Sequence, residues 1–257
     1  MGSGYSRSIS SEPVQMNIDR AATLGRVGGH SRITATGRIT TAAVGNDVWE
    51  GSQPYPFQFS ASKLEALSAS ANDAAGGTGV QIININGLDG NWNQITEQVI
   101  MNGVTPVQTV QSFMRVNSCN IAAAGSGNVN AGAITVRLTG AGVTQAIMNA
   151  GYGWAKQTIY TVPAGYSLLV TDLLLQCTGV GNNTDVSFGF TRIGPTGIIQ
   201  ITNEYNATPA SPLQRVVTIG VLIAEKTALS TRILAVTGTV GAYSSFEGIL
   251  IDNTQLK

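Results

Sequence analysis

From Val48 to Lys257, apolar and polar residues alternate with a period of two almost without interruption. "VQIININ" (80–86), "NQITEQVIM" (93–101), "SFMRVNSCNIA" (112–122) and "AITVRL" (133–138) each lie between Gly or Asn turns and read as strands. "KQTIYTV", "YSLLVTDLLLQC", "DVSFGFTRI", "GIIQITNEY", "QRVVTIGVLI", "TRILAVTGTV" and "SSFEGILI" follow the same rule further on. Within "GLDGNWNQITEQVIMNG" (87–103), Asp89-Gly90 and Asn102-Gly103 suit the positive dihedrals of tight turns, which predicts a hairpin arm. Only "SASKLEALSASAN" (60–72) departs from the pattern: Leu64 and Leu67 fit a helical face, and a short helix is the expectation there.

Alternating strands bury one face and need a second sheet to cover it, and short turns between neighbours favour antiparallel order. The predicted class is all-β, an antiparallel, jelly-roll-like β-sandwich. A faint repeat bears on how many. Displacing the chain by 106 residues superimposes Val80 on Val186, Gln94-Ile95-Thr96 on Gln200-Ile201-Thr202, Pro106 on Pro212 and Gln108 on Gln214. This favours tandem modules over 48–152 and 153–257, with a single large sandwich as the competing account. Residues 1–47, rich in Gly, Ser and Arg and holding only the short alternating piece "RITATGRITT" (32–41), read as an extended arm.

Charge changes the picture. Only 11 % of the 257 residues are charged and the formal net charge is zero, so the surface is built from Gly, Ser, Thr, Asn and Gln. A chain with so little charge is expected to hide much of its exterior against copies of itself or a partner. The first 40 residues carry +3 and the remainder −3. Arg20, Arg26, Arg32 and Arg38 are thus candidate partner-binding residues of a basic arm that docks on an acidic surface, with chance scatter in a solvated tail as the alternative. No block of consecutive Lys or Arg interleaved with aromatics exists, which argues against nucleic acid. No run of 18 apolar residues occurs and no apolar segment follows a charged start, so neither a membrane span nor a secretory leader is expected.

Reactive groups are sparse. His30, in "RVGGHSR", has no neighbouring histidine or carboxylate in sequence to orient it as a general base. Cys119 and Cys177 lie in apolar, strand-like contexts and are expected as buried free thiols; with one histidine they make no zinc set. "GLDGNWN" supplies one carboxylate, Asp89, too few for a calcium loop. "GAG" (140–142) and "GYGWAK" (151–156) lack nucleotide-binding spacing, and nothing selects a catalytic pair among the 14 acids. No catalytic, cofactor or metal residue is therefore assigned. Trp49, Tyr55, Phe57 and Phe59 cluster around Pro54 and Pro56; they could seat a sugar or a partner loop, but packing at the entry to a sandwich is preferred. Trp92 and Trp154 fall on strands or strand edges, where core or interface burial is expected.

"VWEGSQPYPF", "GLDGNWNQITEQVIMNG", "SFMRVNS", "YTVPAGYS" and "SSFEGILIDN" together resemble virion structural proteins of tailed bacteriophages, particularly those infecting cyanobacteria and other aquatic bacteria. The resemblance covers roughly residues 48–257 and leaves the arm unaccounted for. It implies a non-enzymatic head or tail component that works as an oligomer, located in the virion after assembly in the bacterial host cytoplasm, and it transfers no catalytic residue. The leading expectation is a cement or decoration protein on the capsid exterior, a trimer whose basic arm grips the major capsid protein or another virion protein. A tail or fibre-base component is the alternative, and a host-glycan-binding module using Trp49 to Phe59 is a more distant one.

Overall fold

A computed structural model describes residues 29–179, 184–209, 211 and 213–255. Its first sandwich uses β2 (Ser62–Ser68), β3 (Val80–Leu88), β4 (Gln94–Ile100), β5 (Val107–Phe113), β6 (Arg115–Ala124), β7 (Ile134–Leu138) and β8 (Thr144–Met148). The second uses β1 (His30–Ile39), β9 (Ile159–Thr161), β10 (Tyr166–Thr178), β11 (Asp185–Ile193), β12 (Ile199–Ala207), β13 (Leu213–Ile223), β14 (Ala228–Thr237) and β15 (Gly241–Asp252). The class is all-β and jelly-roll-like, and the paired strands run antiparallel. No helix among the described residues is long and apolar enough to cross a membrane.

Strand order shows an internal duplication. The first sandwich stacks β4-β3-β6 on β5-β2-β7-β8, and the second stacks β12-β11-β14-β9 on β13-β10-β15-β1. Replacing β2 through β7 by β10 through β15 converts one pair of sheets into the other. Residues 153–155 even pair with β6 where β9 pairs with β14, through Ile121 N–H to Gly153 O at 2.9 Å and Ala155 N–H to Cys119 O at 2.8 Å. The sequence identities that suggest the repeat are out of step with it, however. Leu88 faces Gln94 and Ile193 faces Ile199, so the hairpins lie 105 residues apart, one short of the displacement that aligns Gln94-Ile95-Thr96. Topology is duplicated; the matched triplet is not at equivalent positions.

The one exchange in that mapping is β1 for β8. In the first sandwich the strand beside β7 follows it in the chain, but β15 is the last strand, and its free edge is covered by His30–Ile39 along ten paired residues. Residues 30–39 are therefore a sheet strand and not part of an extended arm. Ala35, Ile39, Ala42 and Val48 belong to the same core as Leu168, Phe188 and Phe246, so packing does not follow a boundary at residue 47. The first core, around Leu64, Ile83, Ile85, Val99 and Ile134, is inserted between the two parts of the second. The rest of the expected arm lies outside the described residues.

Local chemistry explains two departures from the sequence pattern. Residues 62–68 form a strand, not a helix: Leu64, Ala66 and Ser68 point inward at a period of two, and Leu67 faces away from them. In β10 the buried residues run Leu168, Val170, then Leu173, Leu175 and Cys177, because a bulge between Val170 and Asp172 shifts the phase by one residue. "SFMRVNSCNIA" is divided between β5 and β6, the chain turning at Met114.

Gly37 sets how closely β1 can lie. A Cβ there would fall 2.0 Å from the Val48 carbonyl oxygen and 2.5 Å from the Thr158 nitrogen, both backbone atoms. Gly37→Ala is expected to lower the unfolding free energy by about 2–3 kcal/mol, measured as a shift of the urea midpoint. A variant with an unchanged midpoint would mean that β1 does not occupy this slot in solution.

Candidate interaction surface

The few carboxylates serve mainly as acceptors for backbone N–H groups that loops leave without a strand partner. Asp73, fully buried, accepts from Ser68 Oγ at 2.5 Å and from the amides of Val80, Ala131 and Gly132, each at 2.8 Å. Burial alone would raise its pKa, but these four donors together hold it below the ordinary value. Glu65 binds Arg137 Nε at 2.7 Å and the amides of Gly140 and Ala141. Asp89 ties the amides of Asn91 and Asn93, and Glu97 ties those of Val110 and Gln111. Asp47 accepts from Tyr55 N–H at 2.7 Å and Ser230 Oγ at 2.8 Å, and pairs with Arg232 Nη2 at 2.9 Å. Among the described residues no cluster of three or more His, Cys, Asp and Glu side chains has the arrangement of a metal site.

Where the two sandwiches meet, Trp49, Tyr55, Phe57 and Ile159 form a small core, with Tyr55 edge-on to Trp49 at 5.0 Å and to Phe57 at 4.8 Å. Trp49 and Tyr55 are buried, and the Tyr55 hydroxyl donates to Gln145 O at 2.9 Å, so these two rings belong to an internal joint, whereas Phe59 is 55 % exposed. Asn117 completes the joint: its Nδ2 donates to Thr161 O at 2.9 Å and its Oδ1 accepts from Thr161 N–H at 2.8 Å.

Beside the joint lies a buried arginine. Arg115 has its guanidinium 5.0 Å from the Trp92 ring, 5.2 Å from Phe59 and 5.6 Å from Phe57. It donates to Met114 O at 3.0 Å, and its Nε has no hydrogen-bond partner. Burial lowers its pKa to about 10, against a smaller opposing effect of Tyr55. Aromatic faces replace a carboxylate here. Trp92 is half-buried in the β3–β4 turn, not on a strand, and it rather than Gly90 takes a positive φ, 68°. Nothing in the linear order marks Arg115, since its three rings come from two separate segments.

The arginines read as partner-binding divide. Arg32 forms an ion pair with Glu247 on the strand beside it. Arg38 lies 3.3 Å from Glu50, donates to the Tyr152 hydroxyl at 2.8 Å and stacks on that ring. Both are held by their own chain on β1. Arg20 and Arg26 lie outside the described residues. His30 begins β1, and Cys119 and Cys177 are buried free thiols, the former pushed up to about 12 by burial.

An apolar edge went unread in the sequence. On the edge strand β12, Ile199 and Ile201 are 47 % and 53 % exposed, with Ile198 before them and Leu222 of β13 nearby also exposed. An open depression of about 360 Å³ lies alongside, lined by Arg192, Ile198, Gln200, Leu222 and Thr227 among others. Arg192 Nε is buried there with no hydrogen-bond partner, and burial depresses its pKa. The corresponding side of the first sandwich is closed: Glu97 of β4 reaches the amides of β5, and Gln111 Nε2 returns a bond to Thr96 O at 3.1 Å.

No protein-family model matches the chain, and no curated protein sequence does. Among solved structures it is similar to that of the Gt strain of infectious bursal disease virus, at 12 % identity over 91 % of this chain and 78 % of that one, with a TM-score of 0.25. It is also similar to the PBSX exported protein XepA, at 11 % identity over 86 % of each chain, TM-score 0.20. A likeness this distant carries no functional argument.

Two outcomes check this assignment of roles. Because the Asp73 pKa is depressed on folding, its contribution is complete above the ordinary carboxylate range, near pH ~4, and is lost as pH falls through the lower folded value. Urea midpoints should fall more steeply with acidification in the wild type than in Asp73→Asn, and parallel curves would refute the role. Arg115→Ala should cost about 3 kcal/mol, and Arg115→Lys, which keeps the charge but not the flat stack, about 1–2 kcal/mol, both read from thermal melts.

Proposed function

We propose that the protein is a non-enzymatic structural component of a bacteriophage virion, a cement or decoration protein of the capsid exterior that joins neighbouring capsid subunits as a trimer. The observation that carries this reading is the open side of the second sandwich. A paired strand edge with Ile199 and Ile201 turned to water would drive uncontrolled association in a free monomer, unless a neighbour covers it. Sparse charge fits a molecule whose exterior is spent on contacts, and most of the acids described above are already committed to its own loops. Head attachment and the virion setting rest on the resemblance of the quoted segments. A grip on an acidic shell surface would use Arg20, Arg26, Arg32 and Arg38, of which Arg32 and Arg38 also pair with Glu247 and Glu50 of their own chain.

Light scattering of the purified protein should give a trimer at micromolar concentration, and Ile199→Lys with Ile201→Lys should shift it to monomer without lowering the melting temperature. Particles assembled without the protein should lose integrity at lower temperature. A stable wild-type monomer, with particles equally heat-resistant in its absence, would refute the proposal.

A further inference from the structure

The outward face of the sheet β4-β3-β6 carries a row of uncharged amides ending on a tryptophan. Gln98 pairs with Asn84, Asn84 with Asn120, and Asn120 with Trp154, so the four side chains stand on one face across four adjacent backbones. At an inter-strand spacing of ~4.8 Å the row is about 14 Å long. A second row, Thr96, Asn86 and Ser118, runs beside it. The second row is tied together, Thr96 Oγ1 donating to Asn86 Oδ1 at 2.8 Å and Asn86 Nδ2 to Ser118 Oγ at 3.0 Å, which fixes the surface. It ends in a cleft of about 240 Å³ between the sandwiches, walled by Asn117 and Tyr160. Among the described residues, the side chains of Asn84, Gln94 and Gln98 make no hydrogen bond within the chain. Trp154, despite its size, is 41 % exposed.

We infer that this face binds a neutral oligosaccharide. Asn84 and Gln98 each offer a donor and an acceptor together, matching the mixed capacity of sugar hydroxyls, while Asn120 is held in place by donating to Ile121 O at 3.0 Å and accepting from Asn86 Nδ2 at 3.3 Å; no ionised side chain belongs to either row. The occupant is therefore uncharged, since a charged one would lose water without gaining a counter-charge from the rows. The indole supplies the flat apolar surface on which the C–H face of a pyranose ring can stack. Lys156, whose ammonium lies 6.0 Å from that ring, marks the border of the face, held mainly over Tyr152 at 3.6 Å. The site is distinct from the apolar edge at β12, and neither needs the other.

The full chain is applied to an array of neutral hexose and N-acetylhexosamine oligosaccharides beside sialylated and sulfated ones, and the strongest neutral hit is titrated by tryptophan fluorescence. Binding to neutral members is expected, weakened about tenfold or more by Trp154→Ala and by Asn84→Ala at unchanged melting temperature. Absence of neutral hits, binding of acidic glycans only, or full affinity in both variants would overturn the site. So would a change of oligomeric state in Asn84→Arg, which would make the face a contact between subunits.

Discussion

The second sandwich can close only if something pairs with the free edge of β15, and the chain meets this need from its far end. β1 precedes the whole first sandwich, whereas β15 is the last strand, so their ten-residue pairing encloses everything between them. The first sandwich is consequently an insertion, held by a fold whose two parts come from opposite ends of the described chain. The joint around Trp49, Tyr55 and Asn117 then fixes how the insertion sits, because the segments entering and leaving it both pass through that small core. Long-range pairing of this kind is entropically costly to form and is slow relative to local hairpins.

Charge is scarce, and several of the ionised groups have a defined task. A carboxylate that accepts several loop amides replaces a run of strand pairing, and Asp73 does so for residues near positions 80 and 131 at once. Arg115 is the converse: a cation whose partners are rings, which suits a joint where Phe57, Phe59 and Trp92 already converge. Both arrangements commit the ionised group to the chain's own loops or rings.

The period-two pattern made most strands legible, together with the antiparallel, jelly-roll-like class, since alternation is a local signal. Non-local facts were not legible. "RITATGRITT" alternates, but nothing near it in sequence reveals β15 as its partner, so it read as part of an arm. "SKLEALS" is ambiguous because Leu64 and Leu67 fit a helix while Leu64, Ala66 and Ser68 fit a strand, and the neighbouring sheet decides between them. Of the arginines read by charge alone, Arg32 pairs with Glu247 and Arg38 with Glu50, partners that the linear order did not single out. Asn84, Gln98, Asn120 and Trp154 come together only through register, and their separation along the chain gave no cue.

Duplicated topology with divergent side chains explains how one fold presents two unlike surfaces. β4 and β12 hold equivalent places at the edges of equivalent sheets. On β4, Gln94, Thr96 and Gln98 face water together with Ile100, which is 59 % exposed, and Glu97 bridges the gap to β5. On β12 the exposed residues include Ile199 and Ile201, and the gap beside β13 is a depression with an unpaired guanidinium nitrogen. An edge closed within its own chain has no need of a neighbour, whereas an open apolar one is satisfied by a second chain. The same architecture thus carries a mostly polar outward face on one copy of the fold and an open apolar edge on the other, and the difference lies in which side chains each copy turns outward.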